Sequence, residues 1–151
     1  MSATTSSSPA ETQIRALLAD WAAGLRAKNV ARATAPYADD AVMFILAPPL
    51  QFKPGVNAPG AAGVEEWFKT WQGDIGYESR ELTIRADAEV AFAHHLVHYY
   101  GTRADGQPAD YWARETLGLR YLNGRWQISH QHESVPFYMD GSQRAALDLK
   151  P

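Results

Sequence analysis

The N-terminal part of the chain carries an apolar stripe at helical spacing. Its members recur every three or four residues with charged side chains between them, and they are Ile14, Leu17, Leu18, Trp21 and Leu25. This period places them on one face of a helix. Just before them, Ser8, Pro9 and Glu11 form a helix-start signal, because a serine can cap the first turn and a proline suits it. The pattern predicts an amphipathic helix from Pro9 to about Lys28.

Shorter elements follow this helix. We predict a second helix over Val30–Ala35, ending before Pro36, because the residue before a proline disfavours the helical region. The run Val42–Leu46 is apolar throughout and predicts a buried strand. The stretch 47–63 contains four prolines and three glycines and predicts a loop. Helical spacing returns over Val64–Gln72, which predicts a third helix.

The remainder of the chain favours β-structure. Alternating or β-branched patterns predict four consecutive strands, at 78–87, 89–102, 111–122 and 125–135. Asn123-Gly124, between the last two, is a strong signal for a tight hairpin. The tail after Phe137 has the composition of one further short helix.

These elements predict a single domain. Residues 1–8 are expected to be a disordered tail, residues 9–137 the domain, and residues 138–151 a C-terminal tail. Helices that precede a strand meander indicate an α+β fold, with helices packed on one face of a curved antiparallel sheet. A sheet bent around a long helix leaves a cone-shaped cavity, which is a natural site for a small molecule.

Composition excludes several function classes. The chain has 151 residues and a net charge of −3, which disfavours nucleic acid as a partner. It has no cysteine, so disulfides and thiolate chemistry are excluded. No apolar run approaches the ~18 residues of a membrane span. The Ser/Thr-rich start has no basic or apolar signal region, so we expect a cytoplasmic protein.

Four segments of the sequence resemble a known family: 37–42, 47–51, 112–116 and 124–137. They are similar to the SnoaL-like and ketosteroid-isomerase-like proteins of the nuclear-transport-factor-like superfamily, over about residues 11–137. The resemblance implies the cystatin-like α+β cone fold, a ligand pocket and dimers formed through the sheet. It leaves the activity open, because this superfamily includes isomerases, hydrolases, cyclases, dehydratases and binding proteins.

A cluster of histidine and arginine is the first candidate for chemistry. His130 and His132 lie two residues apart on one predicted strand, so their side chains share a face. Trp126 has the same parity, which predicts that this face is the concave one. The Asn123-Gly124 hairpin places Arg114 opposite residues 131–133. Arg114 would then clamp a carboxylate or an oxyanion, and one neutral histidine would act as the base.

Two alternative interpretations of this cluster remain open. Arg114 and the histidines could be structural, each satisfied by a carboxylate or a backbone carbonyl within the sheet. Alternatively, His130 and His132 could hold a metal together with His94 or a carboxylate, although Glu133 is expected on the opposite face. Since the sequence places no further ligand, we predict no metal and no cofactor.

Aromatic side chains are the candidate ligand contacts. Trp21, Trp112 and Trp126 are expected to form cavity walls, and Tyr37 to offer a phenol. His94 is a further expected contact. A ketosteroid isomerase has a carboxylate base on its first strand, whereas Val42–Leu46 contains no acid. Proton shuttling by that particular arrangement is therefore not expected here.

Three functions fit this sequence. The first is a cofactor-free isomerase or lyase that acts on a small hydrophobic carbonyl or carboxylate compound. The second is a binding or sensing domain with the same pocket and no turnover. The third is a structural dimerisation protein, whose cavity would be filled by Trp21, Trp67 and Trp71. Each predicts a homodimer, for which an outer apolar patch at Val97 and Tyr99 is the expected interface.

Overall fold

The structure is a computed structural model that describes residues 7–151. Most of the expected disordered tail, residues 1–6, lies outside the described residues. The elements in chain order are α1 (Pro9–Arg26), α2 (Val30–Thr34), β1 (Tyr37–Phe44), α3 (Gly60–Lys69), β2 (Trp71–Ala86), β3 (Val90–Arg103), β4 (Pro108–Leu122) and β5 (Arg125–Ser134).

Helix α1 forms where the apolar stripe predicts it. The Ser8 hydroxyl accepts a hydrogen bond from the Glu11 backbone N–H at 3.2 Å, which satisfies one of the free donors of the first turn. The stripe is buried against the sheet, with Ile14 fully inaccessible and Leu18 and Trp21 nearly so. Burial of this face, rather than helix propensity alone, stabilises α1.

The strands form one five-stranded sheet in the order β1-β5-β4-β3-β2. Strands β2 to β5 are antiparallel neighbours, whereas β1 pairs with β5 in parallel. The sheet is therefore mixed and mostly antiparallel, and the predicted α+β class is confirmed. Irregular registers in β1, β2 and β5 bend the sheet around the helices.

Several element boundaries differ from the sequence-based expectation. Strand β1 begins at Tyr37 rather than Val42, and α3 begins at Gly60, inside the expected loop. Helix α3 ends at Lys69, and Trp71, expected on its apolar face, instead begins β2 opposite Arg103. Ladder pairing with β3 overrides the helical spacing of that segment. The short helix expected after Phe137 is absent: the segment makes turns, and Phe137 forms a bridge to Ala145. Ala146 is buried, so this tail packs onto the domain.

Within residues 7–151, no helix combines the length and apolar character needed to cross a bilayer.

Candidate functional site

An extra residue in β5 decides which side chains face the helices. Gly118 pairs with His130 and the next residue, Leu119, pairs with Ile128, so Ser129 has no partner of its own on β4. The Ser129 hydroxyl instead donates to the Gly118 carbonyl at 3.2 Å. Such a bulge shifts the alternation of the strand by one residue. The side chains after it therefore face the opposite side from the one that strict alternation predicts.

The expectation that Arg114, His130 and His132 face the cavity is wrong: the bulge turns the two histidines outward, and on β4 the buried positions are Ala113, Glu115 and Leu117, which leaves Arg114 on the outer face. Arg114 pairs with Ser134 rather than with residues 131–133, and it is exposed on the outer face with its Nε donating to the Ser134 hydroxyl at 3.2 Å. His130 Nδ1 lies 2.7 Å from the Val42 carbonyl oxygen. Both histidine rings pack edge-on against Phe44. The three side chains lie on the face of the sheet away from α1.

Three further candidates also lie outside the cavity. His94 is exposed on the outer face and stacks on Phe92. Trp112 lies on the same face, where it stacks on His98 at 4.5 Å. Trp126 is buried in the core beyond the cavity lining. Across residues 7–151, no three side chains of the usual metal-ligating types gather to hold a metal ion.

A large cavity lies between the sheet and the three helices. Its volume is about 740 Å³, enough for a molecule of two or three rings. Trp21 and Tyr37 line it, at the positions expected from the sequence. Trp67 lines it as well, whereas Trp71 packs beside it. The tryptophans therefore form walls and do not fill the space, contrary to the structural dimerisation hypothesis.

Glu133 is the titratable group that the bulge turns into the cavity. The Tyr99 hydroxyl donates to its Oε1 at 2.5 Å. Burial and the charge of Glu115 raise the pKa of Glu133 to about 8, although the hydrogen bond from Tyr99 acts in the opposite direction. The carboxyl is therefore mostly protonated at neutral pH and can either donate or accept a proton there.

A second buried carboxylate, Glu115, holds the cavity floor in place. His95 Nε2 lies 2.7 Å from Glu115 Oε1, and the Gln131 amide donates to Oε2 at 2.7 Å. The Tyr37 hydroxyl in turn donates to Gln131 Oε1 at 2.7 Å. The side chains of Glu115 and His95 are 0% and 3% exposed. This chain fixes the orientation of the Tyr37 ring through buried, fully partnered groups.

The buried tyrosines remain neutral under ordinary conditions. Burial raises the pKa of Tyr37, Tyr77 and Tyr99 well above the usual value, and the charges of Glu115 and Glu133 raise it further. A neutral phenol is a hydrogen-bond donor. The Tyr99 hydroxyl is therefore available as a donor to Glu133 across the whole range in which that carboxyl titrates.

Several of these residues carry no sequence signal of their own. Strict alternation along β5 would direct Glu133 away from the cavity, and only the bulge at Ser129 turns it inward. Arg103 and Tyr111 enter the lining through the hairpin between β3 and β4. Glu115 could have been found, because it alternates with the apolar Ala113 and Leu117 on a strand whose other face is polar.

Comparison with known proteins agrees with this architecture. The model of the SnoaL-like domain family matches residues 14–138. An NTF2-like protein of unknown function from Pseudomonas putida KT2440 is 35% identical, with a TM-score of 0.84 over 96% of this chain and 99% of that one. No curated protein shows significant sequence similarity to the chain.

More distant structures share the fold alone. An NTF2-like superfamily protein from Salmonella enterica is 16% identical, with a TM-score of 0.70 over 89% of this chain and 96% of that one. A candidate scytalone dehydratase from Novosphingobium aromaticivorans is 13% identical, with a TM-score of 0.73 over 90% of each chain. Since the family model spans most of the sequence and the Pseudomonas protein nearly all of it, the chain belongs to the SnoaL-like family of the NTF2-like superfamily.

Proposed function

We propose that this protein is an acid–base enzyme that transfers a proton within a small hydrophobic carbonyl compound, as an isomerase or a lyase. The observation that carries the proposal is the Glu133 carboxyl, which faces the cavity, is hydrogen-bonded to Tyr99 and has a pKa raised to about 8. An acid–base group is most effective when its pKa lies near the working pH.

Glu133 can act as either the acid or the base in such a transfer. At pH 7 the carboxyl is protonated in most molecules, so it can donate to a carbonyl or leaving-group oxygen. About a tenth of the molecules carry the carboxylate at that pH, which can remove a proton from the carbon next to a carbonyl. The Tyr99 hydroxyl stabilises the carboxylate form through its hydrogen bond. Proton transfer of this kind requires no bound cofactor.

The rest of the cavity supports a hydrophobic substrate. Trp21, Trp67 and Val64 supply apolar walls, and the loop after β1 adds Ile45 and Leu46. Polar groups at the floor include Glu133, Tyr99 and Gln131. A carbonyl oxygen directed at the floor would gain a donor, while the remainder of the molecule would be buried against the apolar walls.

The test is proton exchange on a model ketone. 2-Tetralone has exchangeable protons next to its carbonyl and fits a cavity of this volume. We expect the wild-type protein to accelerate their exchange in D₂O, followed by NMR, with a rate that rises through an apparent pKa of about 8. Glu133→Gln should lower the accelerated rate by about 10²-fold or more, because the acid–base group is gone.

Glu78→Gln is the matched control. Glu78 lies in β2 with an exposed side chain that accepts a hydrogen bond from Tyr100, away from the cavity. This variant should exchange protons at the wild-type rate. Exchange that is equally fast in Glu133→Gln would exclude Glu133 as the acid–base group. Binding of the ketone without any accelerated exchange would instead favour the binding or sensing domain.

A further inference from the structure

The cavity contains one arginine, and its position is fixed by the strands. Arg103 is the last residue of β3 and pairs with Trp71, the first residue of β2. Its guanidinium carbon lies 4.2 Å from the centre of the Trp71 ring. Stacking on an indole holds a guanidinium in place while its edge N–H groups stay free. Arg103 therefore presents a positioned charge to the cavity that it lines.

This charge has no acidic partner among the residues that the structure describes. Within residues 7–151, no carboxylate oxygen lies within 4.0 Å of the Arg103 nitrogens. By contrast, Arg32 and Arg120 each pair with an aspartate. A half-buried guanidinium without an acidic partner retains its capacity to bind an anion in the planar, two-pronged geometry of a carboxylate.

The Tyr111 side chain beside Arg103 contributes a further hydrogen-bond donor. Arg103 interacts with the Tyr111 hydroxyl, and its charge lowers the pKa of that phenol, which burial raises. Tyr111 therefore keeps its proton and can donate it. A ligand that brings two acceptor oxygens would match these donors.

Arg103 and the proposed acid–base group, Glu133, occupy different positions in the cavity. Tyr111 stacks on Tyr99 with ring centres 5.3 Å apart, and Tyr99 donates to Glu133. Arg103 is four residues beyond Tyr99 on the same strand and the same face, which corresponds to about 13 Å along the backbone. Arg103 on β3 and Glu133 on β5 therefore line the same cavity from two different strands.

We propose that the ligand is a hydrophobic carboxylic acid whose carboxylate binds Arg103 while its carbonyl or hydroxyl group reaches Glu133. This inference rests on the proposed function, since it names the substrate class for the same cavity. Arg103 takes the anchoring role that the sequence suggested for Arg114. The walls between these two groups, with Tyr99 and Trp67, would contact the apolar body of the molecule.

The test compares acids with their uncharged amides of nearly equal shape. The probes are 2-naphthylacetic acid with 2-naphthylacetamide, and 4-phenylbutyric acid with 4-phenylbutyramide, each titrated by calorimetry at pH 7. In at least one pair we expect the acid to bind wild type about tenfold or more tightly than the amide, as a charged hydrogen-bonded contact would give. Arg103→Met should abolish this preference, and Arg103→Lys should retain part of it.

Arg114→Met is the matched control, because it removes the same charge from the outer face of the sheet. It should keep the wild-type preference. A preference that survives in folded Arg103→Met, or equal binding of acid and amide to wild type, would overturn the anchoring role and leave the proposed function standing. If Arg103→Met does not fold, Arg103→Gln replaces it with the same expected loss. If neither member of either pair binds and 2-tetralone exchange is also absent, the proposed function fails together with the inference.

Discussion

A single side chain, Glu133, connects the stability of this protein with its proposed chemistry. Its pKa is about 8 in the folded protein, whereas an unfolded glutamate titrates near its ordinary value of 4.5. The folded state therefore holds a proton between these two values that the unfolded state has released. By linkage, this group lowers stability progressively as pH rises from about 4.5 to about 8, and the loss is complete above that pH.

Glu133→Gln should remove this pH dependence, because glutamine does not titrate. We expect the variant to be close to wild type at pH 5 and more stable than wild type at pH 8 to 9, by an amount on the order of a few kcal/mol. Urea unfolding at several pH values measures the difference. A constant difference across this range would show that the pKa of Glu133 is not raised in the folded state.

Glu115 has a structural role at the same scale. Its carboxylate accepts from Gln131 and lies beside His95, and all three side chains are buried. Glu115→Ala would leave three buried polar groups without this partner, since the Tyr77 hydroxyl also donates to Glu115. We expect a loss of about 3–5 kcal/mol in the free energy of unfolding, since removing one member of a buried pair strands the other.

The surface pair of Glu66 and Lys69 supplies the control for that experiment. Both side chains are well exposed, and the pair lies three residues apart on α3. Glu66→Ala should leave the unfolding midpoint nearly unchanged. A Glu115→Ala variant as stable as Glu66→Ala would contradict the structural role of Glu115.

At the scale of elements, the bulge at Ser129 determines the composition of the site. Deleting Ser129 would restore strict alternation to β5 and turn His130 and His132 toward the cavity, with Glu133 directed outward. We expect this deletion to lower the melting temperature severely or to prevent folding, because Gln131 and Glu133 would leave the buried network. Circular dichroism on heating measures the effect.

A deletion in a loop is the control, because it measures how much stability the protein loses when the chain is simply shortened by one residue. Gly55 lies in the loop after β1, where an added Cβ would meet nothing within 4 Å. Removing Gly55 should have a much smaller effect, since loops tolerate changes of length. Equal losses of stability in the two deletions would contradict the importance of the bulge.

The elements show what the sequence can and cannot predict. Periodicity located α1 with Trp21 on its buried face, and strands β3, β4 and β5, because local spacing reports burial on a regular element. It misplaced His130 and His132, because one unpaired residue inverts every face of β5 beyond it. It misplaced Arg114 because the inward face of β4 is the one that carries Ala113, Glu115 and Leu117. The start of β2 at Trp71 was missed for a related reason, since strand pairing overrode helical spacing.

At the scale of the whole molecule, we propose a homodimer that forms through the outer face of the sheet. The expected patch at Val97 and Tyr99 is wrong, because both side chains are buried on the inner face. The outer face instead presents Trp112 and Tyr100, whose rings both pack on His98, and Tyr100 is 37% exposed. Clustered exposed aromatic side chains favour an interface.

Trp112→Asp should disrupt this dimer, because it places a charge at the centre of the aromatic surface. We expect light scattering to give about twice the 16.7 kDa chain mass for wild type and the single-chain mass for the variant. Val56→Asp, in an exposed loop, is the control and should remain dimeric. A wild-type protein that is monomeric at high concentration would contradict the proposed dimer.

The protonation of Glu133 is the property on which the proposed function depends most directly. We would follow the ¹³C resonances of the glutamate side-chain carboxyls in labelled wild type and in Glu133→Gln across pH 3 to 10. The structure predicts one carboxyl that titrates at about 8 and is missing in the variant. If every carboxyl titrates near the ordinary value of about 4 to 5, Glu133 is an ordinary carboxylate and the proposed acid–base site is wrong.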